Sequence, residues 1–208
     1  MELFQATPNW AWDLRYLAEK YRHKKLDSQA LSAVDFVGFI RELNMRSQRP
    51  STIGLIEQLV CYDLNRRESL AERARVVQEL IRIYNPLWKK QIFEYVPETR
   101  HLSIGGENLW FLDRKQQRHY TLKPLRWLEL HTLQLTHLQL KTLTGFDGLS
   151  VARLDLTQLK ADDFSALSWP HFQLLGEVVV KRGHLSEEVC RRIPPYIKIV
   201  ERIDLNPD

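Results

Sequence analysis

"LRWLELHTLQL", residues 125–135, sets an aliphatic residue at nearly every second or third position and leaves one Trp, one Glu and one His between them. Taken alone, it is either a strand with one exposed side or one unit of something that recurs, and only a search for period separates the two. Aligned on Leu128-x-Leu130, the chain offers Leu102-x-Ile104 upstream, then Leu154-x-Leu156 and Val178-x-Val180 downstream, at steps of 26, 26 and 24 residues. Seven residues after each anchor stand Leu109, Leu135, Ala161 and Leu185, with the same steps. Three residues before come Thr99, Leu125, Val151 and Leu175, apolar in three of the four. Three columns in phase predict a repeated strand-and-return unit. A fifth strand is expected in "YIKIVERI", after Pro194 and Pro195.

Over residues 99–208 this pattern resembles the leucine-rich-repeat superfamily, whose unit reads L-x-x-L-x-L followed by a polar Asn or Cys and a further Leu. The resemblance implies an α/β fold: a short leucine-rich-repeat solenoid of four to five parallel strands, each unit burying its apolar side on the next. One departure is visible. The Asn or Cys column holds Glu107, Leu133, Leu159 and Gly183, so the usual side-chain ladder is missing and irregular repeats are expected. Among the returns, "SEEVCRRIP" reads as a short helix capped by Ser186, with acids in its first turn and Arg191 and Arg192 in its last. "DDFSALSWP" reads as a similar turn and "TLTGFDGL" as largely irregular.

Residues 1–98 read as helices that cap the solenoid. "PNWAWDLRYLAEKYRHKK" spaces Trp10, Leu14, Leu17 and Tyr21 by three and four. "DSQALSAVDFVGFIREL" follows with Asp27 or Ser28 as N-cap and Leu31, Val34, Phe39 and Leu43 among its apolar positions. After Pro50, "STIGLIEQLVCYDL" repeats the pattern through Ile53, Ile56, Leu59 and Val60. "SLAERARVVQELIRIY" has capping-box spacing at Ser69 and Glu72 and a broad face of Leu70, Ala74, Val77, Leu80, Ile81 and Tyr84. Pro86 ends it, and "LWKKQIFEY" reads as a last short helix before Pro97. "VPETR" between the two parts is too short to act as a free linker.

Composition narrows function by exclusion. The chain is 208 residues with a formal charge of +4, and each side of Glu98 carries fifteen Lys+Arg against thirteen Asp+Glu. Neither part has the lopsided charge of a dedicated nucleic-acid domain. "RYLAEKYRHKK" and "RKQQRHY" interleave bases with tyrosine, so a nucleic-acid module using the basic N-terminal helix stands as one alternative. There is no basic leader with an apolar stretch and no window long enough to span a membrane, and two distant cysteines suit reduced thiols in the cytoplasm. No phosphate loop and no metal-ligand spacing appears, so no cofactor is expected.

Alternation along each expected strand puts the residues beside the anchors on one sheet face, concave in a solenoid. They fall in three columns: His101, Trp127, Arg153, Glu177; Ser103, Glu129, Asp155, Val179; and Gly105, His131, Thr157, Lys181. A Trp among Arg, His and acids has the composition of an interface centre. His101, Trp127, Glu129, His131, Arg153, Asp155, Thr157, Glu177 and Lys181 are therefore the expected partner-binding residues of a non-enzymatic adaptor. The competing reading has Trp127 covered by a loop and the charges paired laterally. End-to-end dimerisation of a short solenoid stays open.

Two further resemblances concern the helical part. Cys61 and Asp63 form a Cys-x-Asp similar to that of bacterial leucine-rich-repeat ubiquitin ligases, which would make Cys61 a thioester nucleophile and Asp63 its helper. The alternative is a structural thiol packed as a small hydrophobe. The stretch from "ALSAVDFVGFIREL" to "SLAERARVVQELIRIY" is similar to the opening scaffold helices of Ras-type guanine-nucleotide exchange domains, which implies a shared bundle and no exchange activity.

Overall fold

The computed structural model describes residues 32–46, 50–109, 123–138, 149–159 and 172–203. The chain divides into two units, Met1–Ile83 and Tyr84–Asp208. The expected helix at "PNWAWDLRYLAEKYRHKK" lies outside the described residues, as do most of "TLTGFDGL" and all of "DDFSALSWP".

The first unit is helical. Helix α1 spans Ala33–Arg46 and is capped by Ser32, whose Oγ accepts the Asp35 N–H at 3.2 Å and donates to the Asp35 carboxylate at 2.7 Å. It buries Ala33, Phe36, Ile40 and Leu43, while Val34 is 63% exposed. Of the apolar positions expected here, Leu43 is buried and Phe39 half-buried, while Val34 lies on the exposed side. The buried stripe steps by three, four and three. Helix α2, Pro50–Leu64, starts on a proline, whose missing N–H costs nothing in the first turn. Its Ile53, Ile56, Leu59 and Val60 are buried, as the spacing predicts. Helix α3, Leu70–Tyr84, opens with Ser69 Oγ accepting the Glu72 N–H at 3.4 Å and buries Ala74, Val77, Leu80, Ile81 and Tyr84.

Between α2 and α3 sits a buried charge cluster. Arg67 donates through Nε and Nη2 to the two oxygens of Asp63, the second at 2.9 Å, and through Nη1 to Glu72 at 3.1 Å. The Phe36 ring lies 5.7 Å from its guanidinium carbon, and Arg67 and Asp63 are each 5% exposed. Burial disfavours the Arg67 charge, yet the hydrogen bonds to Asp63 and Glu72 outweigh it and hold the guanidinium above its ordinary pKa.

The second unit is built on a six-stranded, mostly parallel sheet. Strand β1 is Lys89–Val96, β2 His101–Glu107, β3 Thr132–Thr136, β5 Arg153–Gln158, β7 Glu177–Lys181 and β8 Lys198–Arg202, hydrogen-bonded in that order. A two-stranded parallel pair, β4 at Leu149–Ser150 and β6 at Phe172–Gln173, stands apart from the main sheet. Only β1 runs antiparallel, to β2. A 3-10 turn covers Lys123–Trp127, and helix α4, Glu187–Arg192, has Ser186 as its N-cap, accepting the Val189 N–H. The mixed α/β class and the parallel strands agree with expectation.

Two elements differ. "LWKKQIFEY" forms β1 instead of a helix: Phe93 faces Ile104 and Tyr95 faces Leu102 across a hairpin that turns through residues 97–100. A short segment with aromatic and β-branched residues at alternate places takes the neighbour that tertiary pairing offers. The opening stretch also shifts. Its strand is centred on Leu133-x-Leu135, and Leu128 follows the 3-10 turn, so the register row is Leu102, Leu133, Leu154, Val178 and Ile199. The first four members are fully buried. The steps become 31, 21, 24 and 21 residues, longer at the first return and shorter at the second.

Trp88 (4% exposed) donates its indole N–H to the Gly105 carbonyl at 2.8 Å, tying the segment before β1 to β2. Trp88→Phe keeps most of the ring and leaves that carbonyl short of its donor. A loss of about 1–3 kcal/mol is expected in urea denaturation of the full chain. A variant indistinguishable from the wild type would mean that the bond contributes nothing.

Candidate interaction face

Strand alternation gives the sheet two unlike faces. One carries the buried anchors. The other carries Val96, His101, Thr132, Arg153, Glu177 and Lys198 in its first row. Glu94, Ser103, Gln134, Asp155, Val179 and Val200 make the second row. Beyond it lie Ile92, Gly105 and Thr136 at one end and Lys181 and Arg202 at the other. Polar residues dominate, and most are half-buried.

These side chains are ordered by one another. His101 Nε2 lies 3.1 Å from Ser103 Oγ, which donates to Gln134 Oε1 at 2.7 Å across the strand boundary. Arg153 Nε meets Glu177 Oε1 at 3.0 Å, with both side chains about a third exposed. Asp155 plays an internal part. Its Oδ1 accepts the Thr157 N–H at 3.0 Å and the Thr157 hydroxyl at 2.7 Å, and its Oδ2 lies 3.7 Å from Arg202 Nη1. That bonding holds the extra residue of β5, where Gln134 pairs with Asp155 but Thr136 pairs with Gln158. Asp155 and Thr157 are buried accordingly.

Of the residues expected to line one face, His101, Arg153, Asp155, Thr157, Glu177 and Lys181 stand on its strands. Trp127, Glu129 and His131 do not. Trp127 ends the 3-10 turn beside Arg126, and Glu129 lies ahead of β3, bridged to Arg100 at 3.1 Å and accepting the Tyr95 hydroxyl at its carbonyl. His131 is the residue just before β3, and its N–H donates to the Arg100 carbonyl at 2.9 Å. Their places in the three columns are taken by Thr132, Gln134 and Thr136. The signal for this was present: "TLQLT" alternates perfectly and is rich in β-branched residues, whereas Pro124 starts a turn just ahead of the expected strand. Lys198, Val200 and Arg202 complete the rows on β8, where the step from Val178 to Ile199 is 21 residues and falls outside the 24- to 26-residue period of the columns.

In the first unit, Cys61 is half-buried and Asp63 is bound by Arg67. Among the described residues, no group of three or more His, Cys, Asp or Glu could hold a metal ion, and no helix is long and apolar enough to cross a membrane. The basic N-terminal segment lies outside the described residues. Comparison with protein-family models, with curated proteins and with solved structures found no match to this chain.

Proposed function

We propose that the second unit is a short, irregular leucine-rich-repeat-type solenoid and that the protein is a non-enzymatic adaptor, binding another protein on the polar sheet face. The reading is carried by one observation: five neighbouring strands set hydrogen-bonding or charged side chains, mostly half-exposed, at alternating positions on a single face. Backbone pairing holds them at fixed spacing, so little ordering entropy is lost on binding. Ser103, Gln134, Arg153 and Glu177 are the contacts, with Asp155 and Thr157 as the support beneath them. The bonds from Arg153 to Glu177 and from Ser103 to Gln134 orient donors and acceptors in advance and set selectivity more than raw affinity.

The test is affinity capture from the source cell with quantitative mass spectrometry. It compares wild type, Arg153→Ser/Glu177→Ser on the face, and Trp127→Ala off it, each verified as folded by circular dichroism. A partner depleted about tenfold or more from the face variant and retained by Trp127→Ala is the expected result. Equal capture by all three would remove the sheet face from the function.

A further inference from the structure

The outer edge of β8 is a second surface, which borders the face above and shares Lys198 and Arg202 with it. Among the described residues, no strand pairs with it. The Lys198 N–H donates to the Gly176 carbonyl, and the Arg202 carbonyl accepts from the Arg182 N–H. Because backbone groups alternate in direction along a strand, those of Lys198, Val200 and Arg202 point to β7, and those of Ile199 and Glu201 point outward. The side chains beside this edge are not those of a finished end. Ile199 belongs to the row whose other members, Leu102, Leu133, Leu154 and Val178, are fully buried, yet it is 36% exposed. Tyr196 and Ile203, at either end of the strand, are 73% and 64% exposed.

Charge tells what would cover it. Along the first polar row the sign alternates from Arg153 to Glu177 to Lys198, and the next place outward calls for an acid. Arg202 stands on the same side of β8 as Lys198, with Lys181 paired beside it; its guanidinium reaches back to Asp155 at 3.7 Å, yet its side chain stays 55% exposed toward the edge. A second copy fits poorly. Antiparallel pairing of two β8 strands about Val200 sets Lys198 against Arg202 twice, pairing about Glu201 sets that acid against itself, and pairing about Ile199 stacks the two isoleucines but sets Lys198 against Val200, so neither basic residue meets an acid.

We propose that the outer edge of β8 takes an extended peptide strand, with acidic side chains beside Lys198 and Arg202 and an aliphatic one against Ile199. Main-chain bonds to Ile199 and Glu201 would supply affinity, and the two rows would supply selectivity.

The probes are two blocked seven-residue peptides, one alternating Glu with Val and the other Lys with Val. Each is titrated into the full chain by fluorescence anisotropy and followed by amide hydrogen exchange. The Glu/Val peptide is expected to bind and to slow exchange at Ile199 and Glu201. Lys198→Glu should weaken it about tenfold and favour the Lys/Val peptide. Ile199→Pro, which removes an outward N–H and leaves the β7 ladder intact, should abolish binding without unfolding the chain. Absence of binding, equal binding of both peptides, or protection confined to other strands overturns the proposal. So does sedimentation showing a peptide-free dimer that Ile199→Pro dissociates, since pairing of two copies about Ile199 would then be the occupant. None of these outcomes bears on capture through Arg153 and Glu177.

Discussion

Arg67→Ala should cost about 3–5 kcal/mol of stability, measured by urea denaturation on the helical circular-dichroism signal. The reason is the charge left behind. Asp63 is 5% exposed, and its two oxygens are both bonded by Arg67. Without the guanidinium, a carboxylate stays in a low-dielectric setting with its strongest donors gone, and the Phe36 ring loses the cation stacked near it. Asp63→Ala should cost a similar amount from the other side. The pair itself contributes little net stability, because desolvating two charges offsets most of their attraction. Asp63→Leu/Arg67→Met should therefore return to within about 1 kcal/mol of the wild type, in spite of two changes in place of one. Glu72, whose side chain is 44% exposed, then stands partly in water and adds only a small loss. A single Arg67→Ala variant as stable as the wild type would sink this account.

Gly105→Ala is expected to be nearly as damaging, by about 3 kcal/mol or more, through sterics alone. An added Cβ would lie 1.7 Å from the Thr136 carbonyl oxygen, far inside contact distance, and the obstacle is backbone of the neighbouring strand. No rotamer change relieves that overlap; β2 and β3 must separate where they pair Gly105 with Thr136. The following residue compounds the constraint. Gly106 has φ of +121°, and its missing Cβ would meet the Lys89 and Lys90 carbonyl oxygens at 2.6 Å. Gly183→Ala is the control, since it too has positive φ but open space around it. It should lose only about 1 kcal/mol of backbone strain. Thermal melts of the two variants order these effects, and a Gly105→Ala melt close to that of Gly183→Ala would refute the close approach.

Much of the fold was legible because periodicity is a local property. The face of α3, the capping bond at Ser69, the short helix behind Ser186, and four of the five expected strands follow from spacing along the chain. In α1 the apolar pattern alone does not separate Val34 from the buried row one position away. The opening stretch failed for a related reason. Leu128-x-Leu130 and Leu133-x-Leu135 are both L-x-L, five residues apart, and only pairing chooses between them. Leu133 is bracketed by Leu102 and Leu154 in the sheet, which carries Thr132 and Gln134 onto the polar face and leaves Trp127 on a turn. An odd-numbered shift also exchanges the two sides of a strand, so a plausible local reading named the wrong three residues.

The sequence alone determined which segments had to bury a face: alternating apolar pairs, recurring along the chain, cannot remain in water singly, and stacking is the solution open to them. Tertiary structure decided what each segment was stacked against. It made β1 a strand by giving Phe93 and Tyr95 the anchors Ile104 and Leu102 as partners, and it set the register that selects the polar face. It also spent Asp155 on holding a bulge instead of leaving it to a partner. The physical reason is that hydrophobic burial is non-directional and roughly additive in area, so it is written in composition and spacing. Backbone pairing and buried charge depend instead on atoms brought together from distant parts of the chain.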